Sequence, residues 1–152
     1  MIFKKCSIGN VIYGDTPQNL SENALPSNTE RMNEDSKNTL MNLLYSGSPT
    51  AHSNAIKEFF TMLAVCHTVM VEKEKNTKPN SEIDVFKYSA SSPDELALVN
   101  GSKDVGIEYF KRSASTISIR VGPNRDEEDY EALIEFPFDS TRKRMSLIVK
   151  NL

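Results

Sequence analysis

The sequence contains no tryptophan, only two cysteines and no long apolar run. Cys6 and Cys66 lie far apart and match no paired spacing of a zinc or redox site, which argues against a disulfide framework or a structural metal. A reduced, cytosolic setting is therefore predicted. The longest apolar stretches are far shorter than the roughly 20 residues needed to cross a bilayer, so the chain as it stands is predicted to be soluble.

An excess of basic residues is also missing, because 18 lysines and arginines stand against 21 aspartates and glutamates and the formal net charge is −3. This balance argues against binding of nucleic acid or of an anionic membrane surface, and any anion site must be local. The sequence has neither a glycine-rich phosphate loop nor an internal repeat. A chain of 152 residues can bury one hydrophobic core, so a single domain over residues 1–152 is predicted.

Two polar stretches, at residues 15–37 and 72–82, interrupt the apolar pattern. Each carries too few apolar side chains to offset the conformational entropy that ordering would cost, so flexible insertions are predicted at both places. Ahead of the first, Gly9-Asn10 separates two short apolar segments. A glycine in the first position predicts two strands joined by a type II′ turn.

Apolar residues at steps of three and four predict a buried helix after residue 50, with Ser53 as its N-cap. A shorter helix is predicted over Thr39–Tyr45, and His52 is predicted in a surface loop. Cys66 and His67 would be adjacent positions on the longer helix, about 100° apart, so core packing is predicted for them rather than a nucleophile–base pair or a shared metal. The predicted buried stripe comprises Ile56, Phe59, Phe60, Leu63, His67 and Met70.

The segment SSPDELALV predicts a further helix. Ser92 is its predicted N-cap, Pro93 its first residue, and Glu95 completes a capping box. Gly106 is predicted to end this helix. A short strand is predicted before it, over Val85–Tyr88.

The C-terminal half alternates apolar and polar residues with period two, which predicts strands. The alternating positions are Ile117, Ile119 and Val121, then Ala132, Ile134, Phe136 and Phe138, followed by a strand over Met145–Val149. The acidic stretch between the first two groups, residues 124–130, is predicted to be a solvated turn or loop. The predicted fold class is α+β, an antiparallel sheet flanked by two or three helices.

The segment IEFPFDSTRKRMSLIV combines aromatic and basic residues. The ring of Phe138 can stack on a purine, and Arg142, Lys143 and Arg144 can attract its phosphates. The alternative is that Phe136 and Phe138 belong to the core while the basic run is a solvated turn. Three basic residues are too few for a nuclear-localisation signal.

Glu95 also has two interpretations. Its carboxylate could accept a hydrogen bond from the exocyclic amine of adenine, which would discriminate between bases. The alternative is that Ser92 and Glu95 satisfy the free amides at the start of the helix and that no ligand is involved.

Four segments together resemble the nucleotide-binding domain of type IV P-type ATPases, the phospholipid-translocating flippases. They are the opening MIFKKCSI with the following Gly9 and Tyr13-Gly14, the helix FFTMLAVCHTVM, the segment YSASSPDELALV and the segment FPFDSTRKRMSLIV. The opening is similar to the stretch that follows the phosphorylation motif Asp-Lys-Thr-Gly-Thr in that family. The last two are similar to its serine-proline-aspartate-glutamate segment and to its nucleotide-binding strand pair.

The resemblance implies that Phe138 stacks on adenine, that Lys143 lies near the nucleotide, and that Glu95 contacts the adenine side of the pocket. Ser140 and Arg142 are further candidates. The implied ligands are ATP and, in the full-length protein, Mg²⁺. The implied partners are the phosphorylation and actuator domains of the same polypeptide, with phospholipid and a membrane accessory subunit, and no nucleic acid.

The resemblance also implies that the chain is the N-terminal part of that domain, a cytosolic domain of an integral membrane protein. The full-length parent would couple ATP hydrolysis, through an aspartyl-phosphate, to inward lipid translocation. The phosphorylated aspartate is expected before Met1 and a lysine-glycine-alanine motif beyond Leu152, so this piece alone is expected to be inactive. Leu96 stands where the family often has glycine.

Three alternatives remain open. The same domain could come from a cation-transporting P-type ATPase. The chain could instead be a non-enzymatic module that grips single-stranded nucleic acid through Phe136, Phe138 and the basic residues 142–144. It could also be an interaction domain whose polar insertions dock a protein partner, after phosphorylation between Thr16 and Thr39.

Overall fold

The computed structural model describes residues 1–14, 32–74 and 85–152. Within these ranges the chain forms three helices and eight strands, which confirms the α+β class. The helices are α1 (Glu34–Tyr45), α2 (Ala51–Val65) and α3 (Pro93–Asp104). The strands are β1 (Lys5–Ile8), β2 (Val11–Gly14), β3 (Met70–Glu74), β4 (Val85–Ser89), β5 (Ile107–Arg112), β6 (Thr116–Val121), β7 (Asp126–Asp139) and β8 (Arg144–Asn151).

The strands form three sheets rather than the single sheet that was predicted. Two are hairpins, β1–β2 and β3–β4, and the third has the strand order β5-β6-β7-β8. All of these pairings are antiparallel. Helices α2 and α3 pack on β5, and the core lies between these layers. Its fully buried residues include Ile56, Phe60, Val99, Ile107, Tyr109, Ile117 and Ile119.

The first hairpin has the predicted strands but a different turn. Gly9 has φ 57° and Asn10 has φ 66°. Positive φ at both central residues defines a type I′ turn, so the predicted type II′ turn is wrong. Asparagine tolerates the left-handed conformation, and this tolerance permits the type I′ form.

Helix α1 begins five residues before the predicted Thr39, at Glu34. The side-chain oxygen of Asn33 accepts a hydrogen bond from the amide of Ser36 at 2.9 Å, and Glu34 and Asp35 place negative charge in the first turn. These are favourable N-terminal features of a helix. Residues 34–37 are therefore helical, contrary to the prediction of an insertion over 15–37, and residues 15–31 lie outside the described ranges.

Helix α2 is capped by Thr50, and Ser53 is the third helical residue of a capping box, so the prediction of Ser53 as the cap is wrong. His52 is half-buried inside this helix rather than in a loop. The helix ends at Val65, so Cys66 and His67 lie beyond it. Met70 starts β3 and is 68% exposed, so it does not belong to the buried stripe.

The second polar stretch is partly a strand. Residues 72–74 belong to β3 and pair with β4 (Val85–Ser89), which contains the predicted strand. Residues 75–82 of the predicted insertion lie outside the described ranges. A similar correction applies to residues 124–130, because β7 begins at Asp126 and only the residues before it form a turn. The four consecutive acidic residues 126–129 pair with residues 118–121 of β6, so this polar segment is held as a strand by its backbone ladder.

Helix α3 begins and ends where it was predicted to. The Ser92 hydroxyl accepts a hydrogen bond from the Glu95 amide, Pro93 is the first helical residue, and Gly106 follows the C-cap with φ 88°. Strand β8 contains the predicted Met145–Val149 segment. Among the described helices, none has the length and apolar character needed to cross a membrane.

Candidate nucleotide-binding site

Strand β7 extends well beyond its pairing with β6. That pairing ends at Thr116 opposite Glu131, and from Ala132 to Asp139 the ladder partner of β7 is β8. We call residues 132–149 the β7–β8 arm. Several of its large apolar side chains are exposed, with 40% of Phe136 and 65% of Phe138 accessible. The alternative prediction that these two phenylalanines belong to the core is therefore wrong.

The turn at the tip of the arm, residues 140–143, is held by Asp139. The Asp139 carboxylate accepts hydrogen bonds from the amides of Thr141 and Arg142, each at 2.9 Å, and its carbonyl accepts from the amide of Lys143 at 2.6 Å. Lys143 has φ 52°, the left-handed region that non-glycine residues rarely adopt. Its exposed side chain is therefore displayed from a fixed backbone.

The tip brings four of the predicted site residues together: Phe138, Ser140, Arg142 and Lys143. Ser140 and Lys143 are exposed. Arg142 instead contacts the arm itself. Its guanidinium lies 5.8 Å from the centre of the Phe136 ring and donates to the Ser146 hydroxyl at 3.3 Å.

Glu95, the fifth predicted residue, lies at the start of α3. Its Oε2 accepts hydrogen bonds from the Thr68 hydroxyl at 2.7 Å and from the Thr68 amide at 3.3 Å. The carboxylate therefore does not complete the predicted capping box with Ser92. Sequence reasoning missed Thr68, since the two residues are separated by 27 positions and no local pattern links them.

A series of contacts connects the surroundings of Glu95 with β7. Arg112 donates one hydrogen bond to the His67 carbonyl at 2.8 Å and another to the Glu135 carboxylate at 3.3 Å. Glu135 lies three residues before Phe138 on β7. A cavity of about 360 Å³ is lined by Thr68, Val69, Met70, Val71, Tyr109, Arg112 and Glu135. Glu95 and the tip are thus linked indirectly, through Thr68, His67, Arg112 and Glu135.

Cys66 and His67 do not supply a nucleophile or a base. Burial raises the pKa of the Cys66 thiol, and the nearby Glu95 and Glu135 carboxylates raise it further. Burial lowers the pKa of His67 to about 4. His67 is buried as predicted, whereas Cys66 is only half-buried. Both ring nitrogens of His67 contact the backbone, Nε2 at the Ala64 carbonyl at 2.9 Å and Nδ1 at the Val69 amide at 3.1 Å, so neither nitrogen is available to accept a proton from the thiol.

The sequence matches a known family over most of its length. The family model described as P-type ATPase, cytoplasmic domain N, matches residues 55–152. This range includes α3, the β7–β8 arm and all five candidate residues.

Individual relatives give the same result. The chain is 36% identical to phospholipid-transporting ATPase IC of Xenopus tropicalis, with 99% of this chain and 11% of that protein aligned. It is 33% identical to human phospholipid-transporting ATPase IK over the same shares. It is 41% identical to probable phospholipid-transporting ATPase 12 of Arabidopsis thaliana over 66% of this chain and 8% of that protein.

The chain spans about a tenth of the length of these relatives. The predicted resemblance to P-type ATPases is confirmed, and the relatives are transport enzymes by name. The chain belongs to the family of P-type ATPase cytoplasmic N domains.

Proposed function

We propose that this chain is an ATP-binding part of a phospholipid-transporting P-type ATPase and that the tip of the β7–β8 arm receives the nucleotide. The observation that carries the proposal is the exposed ring of Phe138 next to the turn that displays Lys143. A ring that is 65% exposed has a face available for adenine. Stacking of a base on an aromatic side chain contributes about 1–3 kcal/mol.

The charges at the tip suit the triphosphate. Lys143 projects an ammonium group into solvent, and Arg142 adds a guanidinium that can exchange its contact with Ser146 for a phosphate oxygen. The left-handed backbone at Lys143 supports a functional interpretation, because strained conformations are concentrated at ligand sites. The exposed Ser140 hydroxyl supplies a further donor.

Glu95 is proposed to select the base. Both hydrogen bonds from Thr68 go to Oε2, which fixes the carboxylate. Oε1 is the acceptor proposed for the adenine amino group. Guanine presents a carbonyl at the corresponding position, so the same contact would disfavour GTP.

The proposal includes Mg²⁺ only as a companion of the nucleotide. Within the described residues, no group of three or more histidine, cysteine, aspartate or glutamate side chains is placed to hold a metal ion. These residues therefore do not fit a magnesium site made by the protein, and Mg²⁺ would be bound through the phosphates of ATP.

The wider role rests on the resemblance and on the names of the relatives. In the full-length protein, ATP would phosphorylate an aspartate of the phosphorylation domain, and the actuator domain would take part in its turnover. Phospholipid would then move inward across the membrane, with an accessory subunit. The relatives' names support phospholipid rather than a cation as the transported substrate. This chain would lie on the cytosolic side.

The test is an NMR titration of the labelled chain with ATP, GTP and AMP. We expect shifts around Phe138, Lys143 and Glu95 and a dissociation constant on the order of millimolar, which is about −4 kcal/mol. Phe138→Ala should weaken ATP binding roughly tenfold or more through loss of stacking. Leu133→Ala, a matched truncation of an exposed apolar residue on the same arm, should leave it unchanged.

Further variants separate the proposed roles. Glu95→Gln should reduce the preference for ATP over GTP. Lys143→Gly should weaken the binding of ATP more than the binding of adenosine, which has no phosphates, and it should also relieve the backbone strain of the turn. Equal responses of Phe138→Ala and Leu133→Ala, or shifts confined to another surface, would reject the tip as the adenine site.

A further inference from the structure

Arg112, the last residue of β5, joins two parts of the molecule that carry candidate site residues. One nitrogen of its guanidinium donates to the His67 carbonyl at 2.8 Å, and another donates to the Glu135 carboxylate at 3.3 Å. His67 precedes Thr68, which binds Glu95, whereas Glu135 lies on the β7–β8 arm. Arg112 therefore contacts the supports of both halves of the proposed ATP site.

A β-bulge in β5 determines the direction of the Arg112 side chain. Side chains alternate along a regular strand, so Arg112 would lie on the face opposite to Tyr109. The β5–β6 register places Tyr109 opposite Ile119. It places Arg112 opposite Ile117, so β5 contains one extra residue in between. Ile117 and Ile119 are both fully buried on the core face of β6, and the bulge therefore turns Arg112 toward that same face.

The His67 end of this contact is rigid. His67 is 1% exposed, and both of its ring nitrogens contact the backbone. Its ring also packs edge-on against the buried Tyr109. The carbonyl group that Arg112 binds is therefore fixed to the core, and so is the backbone of the adjoining Thr68.

The arm end of the contact has less support. Strand β6 pairs with β7 only as far as Glu131. The hydrogen bonds described for residues 136–146 stay within the arm, as does that of Arg142 to Ser146. Among the ion pairs of the described residues, the one between Arg112 and Glu135 is the one that reaches the arm. It is thus the last ionic contact with the core before the tip.

We propose that Arg112 is a positioning residue of the ATP site, which holds the β7–β8 arm at a fixed distance from Glu95. This inference rests on the proposed function. With the arm held, the ring of Phe138 and the carboxylate of Glu95 contact the same adenine. When the arm moves away, each group is left to bind alone. The apparent affinity then falls with the fraction of molecules in the competent arrangement.

An arginine suits this role better than a lysine. Its planar guanidinium presents N–H donors in fixed directions, so one side chain can bind a carbonyl and a carboxylate together. The side chains of Arg112 and Glu135 are 28% and 38% exposed. Because ion pairs near solvent are weak, loss of this one should change an equilibrium by a factor of roughly two to five.

Two other roles for Arg112 predict the opposite response to removal of the Glu135 carboxylate. Arg112 could bind a phosphate group of ATP directly, or attract ATP only through its charge. In either case, neutralising Glu135 would leave the positive charge uncompensated and would tighten ATP binding. A positioning role predicts weaker binding instead, so the sign of the effect separates these roles.

The experiment is an NMR titration of Glu135→Gln with ATP, GTP and adenosine. The matched control is Glu127→Gln, which breaks the ion pair with Arg120 on the part of β7 that pairs with β6. We expect Glu135→Gln to weaken ATP and adenosine by the same factor, roughly two to five, and to lower the preference for ATP over GTP. The control should weaken neither ligand. Arg112→Gln/Glu135→Gln should bind adenosine as weakly as Arg112→Gln alone, since the two side chains act as one unit.

Hydrogen exchange measures the contact without any nucleotide. In Glu135→Gln, the amides of residues 133, 134 and 138 should exchange roughly two to five times faster than in the wild-type chain. The amides of residues 117–121 in β6 should exchange at unchanged rates. Circular dichroism checks that each variant is folded.

The outcomes separate this inference from the proposed function. Tighter ATP binding in Glu135→Gln, unchanged exchange of its arm, or an equal loss of affinity in Glu127→Gln would overturn the positioning role, even where Phe138→Ala shows that ATP binds at the tip. Wild-type ATP binding that does not depend on Phe138 would instead reject the ATP site and the positioning role with it. The exchange rates would then still show whether Arg112 holds the arm.

Discussion

Tyr45 attaches the end of α1 to the sheet because two glycines leave room for its ring. Its hydroxyl donates to the Val105 carbonyl at 3.0 Å, and burial raises the pKa of the phenol to about 12. Gly106 and Gly122 have φ 88° and 76°, and the Gly122 amide donates to the Gly106 carbonyl at 2.9 Å. A Cβ atom on Gly106 would lie 3.0 Å from the Tyr45 hydroxyl oxygen.

We predict that Gly106→Ala lowers the free energy of unfolding by about 1–3 kcal/mol, because alanine is strained at positive φ and its methyl group crowds Tyr45. Gly47→Ala is the matched control, since nothing lies within 4 Å of a Cβ there. The control should change stability by less than about 1 kcal/mol. Urea unfolding measures both variants, and equal midpoints would show that the Tyr45 contact does not require glycine.

Individual site residues differed in how far the sequence could predict them. Phe138 and Lys143 were recognisable because an aromatic ring and a cation stand close together in one short segment. The exposure of Phe138 was not predictable, since an alternating pattern does not tell where the neighbouring strand ends. The hydrogen bonds of Glu95 to Thr68 also depend on long-range packing, whereas a capping box is a local pattern.

From Ala132 to Asp139 the ladder partner of β7 is β8, and two bulges interrupt the register of this arm, at Ala132/Ile134 and at Phe136/Asp139. A two-stranded ribbon is only marginally stable in water. We predict that the amides of residues 133–136 and 138 exchange with solvent roughly tenfold faster, or more, than amides of residues 117–121 in β6, because the arm opens locally while β6 opens with the core.

Hydrogen exchange followed by NMR checks this prediction, with the buried Ile119 as the internal reference. Addition of ATP should slow exchange at the tip if the nucleotide binds there. Equal protection of the arm and β6 without ligand would mean that the arm does not open separately from the core.

Local signals predicted the elements whose boundaries are set locally. Ser92 and Pro93 fixed the start of α3, and Gly9-Asn10 fixed the first hairpin. The end of α2 was missed because apolar residues continue at helical spacing after Val65. The His67 ring nitrogen Nε2 lies 2.9 Å from the Ala64 carbonyl, and the His67 amide donates to the Val65 carbonyl at 3.2 Å. These contacts use carbonyl groups that a longer helix would need.

At the scale of the whole molecule, charged contacts join helices to the sheet around one core. Lys57 of α2 binds Glu128 of β7 at 2.8 Å, and Tyr130 donates to the same carboxylate at 2.7 Å. Burial raises the pKa of Glu128, but the hydrogen bonds from Lys57 and Tyr130 outweigh it, so its pKa lies below the ordinary 4.5. This contribution to stability is present above pH 4.5 and is lost as the pH falls below that value.

The buried His67 affects the stability of the fold at higher pH than Glu128 does. It is 1% exposed, and its ring packs edge-on against Tyr109 at 4.6 Å between centres. Nδ1 accepts a hydrogen bond from the Val69 amide at 3.1 Å, so the neutral ring carries its proton on Nε2 and donates to the Ala64 carbonyl. A second proton on Nδ1 would face the Val69 amide, and the charged ring would be buried.

We predict that the free energy of unfolding falls as the pH is lowered from about 6.5 to about 4. The pKa of His67 drops from 6.5 to about 4 on folding, mainly because burial disfavours the charged ring. The unfolded chain therefore takes up the proton first, and stability decreases by about 3 kcal/mol across this window.

Urea unfolding at several pH values measures the slope of stability against pH. His67→Gln should remove it above pH 4.5, where the stabilising contribution of Glu128 is still fully present. A slope that survives in His67→Gln would assign the acid sensitivity to other groups.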